Sequence, residues 1–198
     1  VKELLTAISS VGWTANEAFI ERSFCCQLRD ECLAMMVDNP LHQAAVGNGE
    51  GREVRDAIRN DSISWLDAGS EGEFQKIYQS QMEQLRLALN EHFFLGLFDF
   101  ESHFAVYPAG GFYKAHRDQH VGATKRVVTV IFYLNEDWQA GDGGELRLWT
   151  TPGKAQGPSV LIEPRMGTLV CFMADDHWHE VLVSHKSRMS ITGWFLRS

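Results

Sequence analysis

The second half of this chain breaks into short strand-like runs, and that pattern constrains the fold more than any other feature. Ser102 to Tyr107, Gly111 to Asp118, Arg126 to Asn135, Gly144 to Trp149, Ser159 to Ile162, Thr168 to Met173, Glu180 to Ser184 and Arg188 to Leu196 read as strands. Turn formers separate them: Pro108-Ala-Gly-Gly, Ala140-Gly-Asp-Gly-Gly144, Pro152-Gly and Pro164-Arg-Met-Gly167. Eight such strands in about a hundred residues predict a jelly-roll, or double-stranded β-helix.

The first half has a different period. Phe19, Ile20, Phe24, Leu28, Cys32 and Met36 recur at helical spacing behind Asn16-Glu-Ala, which has the character of an N-cap with an acidic first turn. This helix is expected to end near Asn39-Pro40. Gln43 to Val46 and Ile63 to Leu66 read as short strands, and Glu71 to Leu89 as a second helix with Phe74, Ile77, Tyr78, Met82, Leu85 and Leu89 on one side. Phe93 to Phe100 fits neither period and stays unassigned, with a loop that packs aromatic side chains as one reading. The glycines and dense charge of Gly47 to Asn60 predict a mobile loop, either a connector or an active-site flap. The fold class is therefore α+β, mainly β, in a single domain over residues 1–198: helical support and mobile loop in 1–100, a double-stranded β-helix core in 101–198.

The 198 residues carry a net charge of −8, which argues against a nucleic-acid backbone as partner. No run approaches eighteen apolar residues, so no membrane span is expected, and Val1-Lys-Glu-Leu-Leu lacks the character of a signal peptide. Cys25, Cys26, Cys32 and Cys171 have neither zinc-ribbon nor Cys-x-x-Cys spacing; they read as reduced packing residues of a cytoplasmic protein, expected to be a monomer.

Chemistry concentrates in Tyr113-Lys-Ala-His-Arg-Asp118. On a strand His116 and Asp118 share a face, and His179 can join them from a distant segment. Two imidazoles and a carboxylate are the donor set of non-haem Fe(II) sites with open coordination positions. His120 competes with the first pair, because it continues the alternation; His177 competes with His179. Arg188, nine residues after His179, could hold the far carboxylate of a chelating keto acid through its planar fork.

From about Asp61-Ser-Ile-Ser-Trp-Leu66 to the C-terminus, the chain resembles Fe(II)/2-oxoglutarate-dependent oxygenases, and among them the prolyl hydroxylases of the hypoxia-inducible-factor hydroxylase type with their bacterial relatives. The residues that carry the likeness are Tyr107-Pro, Tyr113-x-x-His-x-Asp118, Arg126-Val-Val-Thr-Val-Ile-Phe-Tyr-Leu-Asn135, Gly143-Gly-Glu-Leu-Arg147, His179-Glu-Val and Arg188-x-x-x-Thr-x-Trp194.

The resemblance implies that His116, Asp118 and His179 bind iron, with His-Glu-Val favouring His179 over His177. It implies that Arg188 and Tyr133 hold the C5 carboxylate of 2-oxoglutarate, that Thr192 contacts it, and that Trp194 walls the pocket. Tyr107 corresponds to the family's active-site tyrosine and Arg126 to a substrate-facing residue. The implied activity is that of a peptidyl-proline 4-hydroxylase of the procollagen-proline type. It would use Fe(II), 2-oxoglutarate and O₂, with ascorbate as a candidate reductant, and act on a protein bearing a target proline. The Gly47 to Asn60 loop would fold over that protein. Two other readings remain: a 2-oxoglutarate oxygenase for a non-prolyl or small-molecule substrate, and a non-oxidative cupin-like metal-binding protein.

Overall fold

The computed structural model describes residues 1–38, 42–44, 57–66, 72–119 and 125–198. Along the chain run α1 (Lys2–Val11), β1 (Trp13–Asn16), α2 (Arg22–Asp38), β2 (His42–Gln43), β3 (Ser62–Trp65), α3 (Glu73–Phe93) and β4 (Leu97–Tyr107). Then follow β5 (Tyr113–His116), β6 (Arg126–Tyr133), β7 (Leu146–Trp149), β8 (Ser159–Ile162), β9 (Leu169–Met173), β10 (His179–Val181) and β11 (Arg188–Arg197). All eight strands expected in the second half are present.

They form two antiparallel sheets, a large one in the order β1-β9-β6-β11-β4-β3-β2 and a small one in the order β5-β10-β7-β8. The chain shuttles between them: β4 in the large sheet, β5 in the small, β6 in the large, β7 and β8 in the small, then β9, β10 and β11 alternately. That path is the expected double-stranded β-helix.

β6 explains why the large sheet sits at the centre. Its apolar run is nearly continuous because both faces are covered. Val128, Val130 and Phe132 pack against the helices, meeting Leu28 and Cys32 of α2 and Tyr78, Met82, Leu85 and Leu89 of α3. Ile131 and Tyr133 point the other way, into a second core with Leu146, Leu148 and Ile162 of the small sheet. Burying six such helix side chains contributes on the order of 10 kcal/mol before conformational entropy is set against it. The inward faces of β4, β6 and β11 form the floor on which the site is built.

The first half departs from expectation in four places. Asn16 caps no helix. It ends β1, whose residues pair with β9 from Trp13 opposite Phe172 to Asn16 opposite Leu169, so strand pairing overrides capping propensity. α2 starts only at Arg22, after the Phe19 amide has bonded the Gly167 carbonyl at 2.9 Å. α1 was not anticipated; Leu4 and Ile8, four apart, are its buried pair, and Gly12 closes it at φ +78°. Phe93 to Phe100 is not an aromatic-packing loop: Phe94 and Phe98 are 89% and 76% exposed, and β4 starts at Leu97. Asn90 makes that turn, its side chain accepting from the Leu97 amide at 2.7 Å and donating to its carbonyl at 2.8 Å.

Cys25, Cys32 and Cys171 are buried, Cys26 is half-buried, and all four are free thiols. Among the described residues no helix is long and apolar enough to cross a membrane. Most of the Gly47 to Asn60 loop lies outside the described residues, as does the end of the expected strand from Gln43 to Val46.

Candidate active site

β10 lies antiparallel to β5 with His179 directly opposite His116, so the two imidazoles meet on neighbouring strands of the small sheet. Asp118, just past the end of β5, turns toward the large sheet, where Thr129 of β6 donates a 2.8 Å hydrogen bond to its Oδ2. Asp118 Oδ1 stands 3.6 Å from His116 Nε2, and Oδ2 stands 3.5 Å from His179 Nε2. The three ligand atoms lie within 4.8 Å of one another.

The outer nitrogens fix which atom each ring offers. His116 Nδ1 lies 2.7 Å from the Lys114 carbonyl and His179 Nδ1 lies 3.3 Å from that of His177. A carbonyl only accepts, so both Nδ1 atoms carry a proton, and the two Nε2 atoms, turned toward Asp118, are the ones each ring can offer a metal. Burial pushes the His179 imidazole down to about 4, which keeps it neutral at pH 7. Burial alone would raise the Asp118 carboxyl, but the imidazoles and the Thr129 hydroxyl outweigh it and hold the group well below the carboxylate range. Two imidazoles and one carboxylate at this spacing fit a divalent first-row ion with positions left open.

The other end of the site is cationic. Arg188 begins β11 opposite Tyr107 of β4 and is 1% exposed. Its guanidinium carbon is 5.0 Å from the Tyr107 ring centroid and 4.9 Å from that of Tyr133, and Nε donates to the Gly144 carbonyl at 2.9 Å. Among the described residues no carboxylate pairs with this buried cation. Among the described residues the nearby Tyr133 and Ser190 hydroxyls are buried without a hydrogen-bond partner. Burial pushes the Tyr107 and Tyr133 phenols up, so both remain protonated donors. A buried cation beside unused hydroxyls suits one end of an anion, whose desolvation they would offset.

Period-two alternation along β11 puts Arg188, Ser190, Thr192 and Trp194 on the inward face, with Thr192 half-buried between the two ends. Trp194 is 5% exposed and forms a wall. Arg126 stacks over it at 3.5 Å and pairs with Glu101 at 2.7 Å. His177 does not join the metal cluster: its Nδ1 bonds the Trp149 carbonyl at 2.9 Å, and its Nε2 faces Gly12. His120 lies outside the described residues.

Three participants escaped the sequence reading. Thr129 looked like one more β-branched strand residue. Gly144, at φ +66°, passes so near Arg188 that an added Cβ would sit 3.1 Å from its Cδ; the Gly-Gly pair was the available signal. His103, given no role, is buried with its ring between those of Trp65 and Trp194, at centroid distances of 5.2 and 5.4 Å.

Comparison with known proteins agrees with this geometry. Residues 102–196 match the model of the 2OG-Fe(II) oxygenase superfamily. Human Egl nine homolog 1 is 36% identical over 97% of this chain, which covers 45% of the human protein. The chain spans about half the length of the curated relatives it matches first. A Pseudomonas putida prolyl-4-hydroxylase structure is 39% identical with a TM-score of 0.88, matched over 99% of this chain and 98% of that one. A Trichoplax adhaerens prolyl hydroxylase in complex with a hypoxia-inducible-factor oxygen degradation domain peptide gives a TM-score of 0.83 at 25% identity, over 98% of this chain and 88% of that one. Matched over 98% of a solved relative at 39% identity, the chain belongs to the 2OG-Fe(II) oxygenase superfamily, and the relatives it resembles there are named prolyl hydroxylases.

Proposed function

We propose that this protein is an Fe(II)- and 2-oxoglutarate-dependent dioxygenase that hydroxylates a prolyl residue in a protein substrate. The observation that carries the reading is the two-ended pocket: a His116, Asp118 and His179 cluster at one end, and at the other the buried Arg188, which pairs with no carboxylate among the described residues, beside Tyr107 and Tyr133. A cupin-like metal protein accounts for the first end and leaves the second unexplained.

His116, Asp118 and His179 would hold the iron, with Thr129 fixing the carboxylate. Arg188 and the Tyr133 hydroxyl would hold the C5 carboxylate of 2-oxoglutarate, Thr192 would line its path, and Tyr107 would complete the cationic end. Bound there, the metal and cosubstrate would supply the O₂ chemistry that yields succinate and CO₂ and puts a hydroxyl in place of one hydrogen on the target carbon. The protein's part is to orient both partners and exclude water. Trp194 and the Arg126–Glu101 pair stand where the wall reaches solvent, Arg126 and Glu101 each being half-buried, and would receive the substrate. Ascorbate would return oxidised metal to Fe(II).

The prolyl substrate is supported by the near full-length likeness to the Pseudomonas enzyme, whose name also supports 4-hydroxylation. The Trichoplax complex supports a protein partner. Four free thiols suit the cytoplasm. The test is succinate release from 2-oxoglutarate with and without prolyl peptides. Peptide-stimulated release supports the proposal. Release that no prolyl peptide stimulates points to another substrate, and no release even at high Fe(II) points to the cupin-like alternative.

A further inference from the structure

Four planar or charged groups form a continuous line from a buried ion pair to a metal-cluster histidine. Arg59 and Asp61 pair bidentately, with Nε–Oδ1 at 2.7 Å and Nη2–Oδ2 at 2.5 Å. The Asp61 side chain is fully buried and that of Arg59 is 13% exposed. The Arg59 guanidinium lies 4.3 Å from the Tyr113 ring centroid. Tyr113 stacks on His116 at 3.6 Å with 17° between the planes. The backbone follows the same line: Arg59 bridges Tyr113 as an extra antiparallel pair, the Lys114 amide donates to the Ile58 carbonyl at 2.9 Å, and the Phe112 amide donates to Asn60 Oδ1 at 2.8 Å. β5, which carries His116, is thus an edge strand of the small sheet that is held from outside the sheet by residues 58–60.

A buried ion pair contributes little net stability, because desolvation consumes most of its Coulomb energy. Its geometry is another matter: two planar groups locked fork to fork leave the guanidinium one orientation. We propose that Arg59 and Asp61 are positioning residues for the metal site, acting through Tyr113 to hold the plane of the His116 ring. The inference rests on the reading of His116 as a metal ligand. The Lys114 carbonyl fixes the tautomer of His116 and one edge of its ring. Rotation about that hydrogen bond remains, and the Tyr113 face removes it. Partners that orient a ligand in this way are worth tenfold to a hundredfold in metal affinity.

The test is Mn(II) binding to the whole protein, followed through the electron paramagnetic resonance signal of the free ion, with no cosubstrate or substrate present. The double variant Arg59→Gln/Asp61→Asn removes both charges together, so neither is stranded. It is expected to weaken Mn(II) binding at least tenfold while the melting temperature of the metal-free protein stays near that of wild type. Tyr113→Phe keeps the stack and should bind within about twofold of wild type; Tyr113→Leu removes it and should fall with the double variant. Tyr113→Leu leaves the ion pair alone, so it decides the matter even where the double variant folds poorly. Mn(II) binding by Tyr113→Leu equal to that of wild type overturns the proposal, as does wild-type affinity in a folded double variant. Wild-type protein that takes up no Mn(II) overturns the metal-site reading and this inference with it.

Discussion

Thr129 and Asp118 join the two sheets at the metal end of the site: a hydroxyl on β6 of the large sheet donates a 2.8 Å hydrogen bond to a carboxylate just past β5 of the small one. Thr129 is fully buried and Asp118 is 8% exposed, so water replaces this bond poorly. Asp118 also spans both imidazoles, and its position sets the width of the cluster.

Thr129→Val keeps the shape and removes the donor. Metal affinity is expected to fall about tenfold or more, with a loss of about 1–3 kcal/mol of folding stability, because the freed carboxylate oxygen is left underbonded. Mn(II) titration and thermal melting check the two parts separately. Wild-type metal affinity in this variant would show that Asp118 is held without Thr129.

Arg188→Ala should leave metal binding intact and weaken 2-oxoglutarate binding by about a hundredfold, the worth of a charge-assisted pair made out of reach of water. Arg188→Lys should recover little of it, since a point charge does not reproduce the planar fork set by Gly144, Tyr107 and Tyr133. Calorimetric titration of 2-oxoglutarate into metal-loaded protein measures this. Near-normal affinity in the alanine variant would remove Arg188 from the pocket.

Gly144→Ala should act on the same end from a distance. Its Cβ would meet Ser184 Oγ at 2.9 Å and Arg188 Cδ at 3.1 Å, at a φ of +66° that alanine adopts reluctantly. The expected result is a raised KM for 2-oxoglutarate and a loss of about 1–3 kcal/mol in stability. A variant with wild-type KM would show that Arg188 tolerates displacement.

The metal-free protein should lose stability as pH falls below about 6.5. Burial lowers the folded-state pKa of His179 to about 4 and that of His103 to about 3. In the unfolded chain both imidazoles take protons near 6.5. Between those limits the unfolded state binds protons that the folded state refuses, so each buried histidine costs roughly 1.4 kcal/mol of stability per pH unit of acidification. Asp118 acts with the same sign at lower pH: its folded pKa is depressed, so its contribution is present above the ordinary carboxylate value and fades below it. Denaturant unfolding in the presence of chelator from pH 7.5 to 5 measures the slope. His103→Phe keeps the ring between Trp65 and Trp194 and should remove about half of that slope. An unchanged slope would place the titration elsewhere.

How much of this was legible depends on what each residue needed from its surroundings. The strands of the second half could be read because period and turn chemistry are local; the metal cluster could be read because His116 and Asp118 share one strand's alternation, and the prolyl hydroxylase likeness singled out His179 from His177. The same reasoning failed at Asn16, where a good capping residue is claimed by a strand partner more than 150 positions later in the chain. It failed at Phe94 and Phe98, where apolar residues stand in solvent because α3 and β4 bury other positions. Thr129, Gly144 and the Arg59–Asp61 pair work through neighbours brought close only by folding, so their local sequence held no sign of the role beyond the glycine pair.

The central claim is that this site joins one atom of O₂ to a prolyl carbon and the other to succinate. The most direct measurement supplies heavy-isotope O₂ to the purified protein with Fe(II), 2-oxoglutarate and a panel of prolyl peptides, including an oxygen degradation domain peptide of the kind bound by the Trichoplax relative. Mass spectrometry of peptide and succinate then locates the label. The account predicts one heavy oxygen on the proline and one in each succinate, with both signals lost in His179→Ala. Succinate formed while every proline stays unmodified, or a hydroxyl that carries oxygen from water, would contradict it.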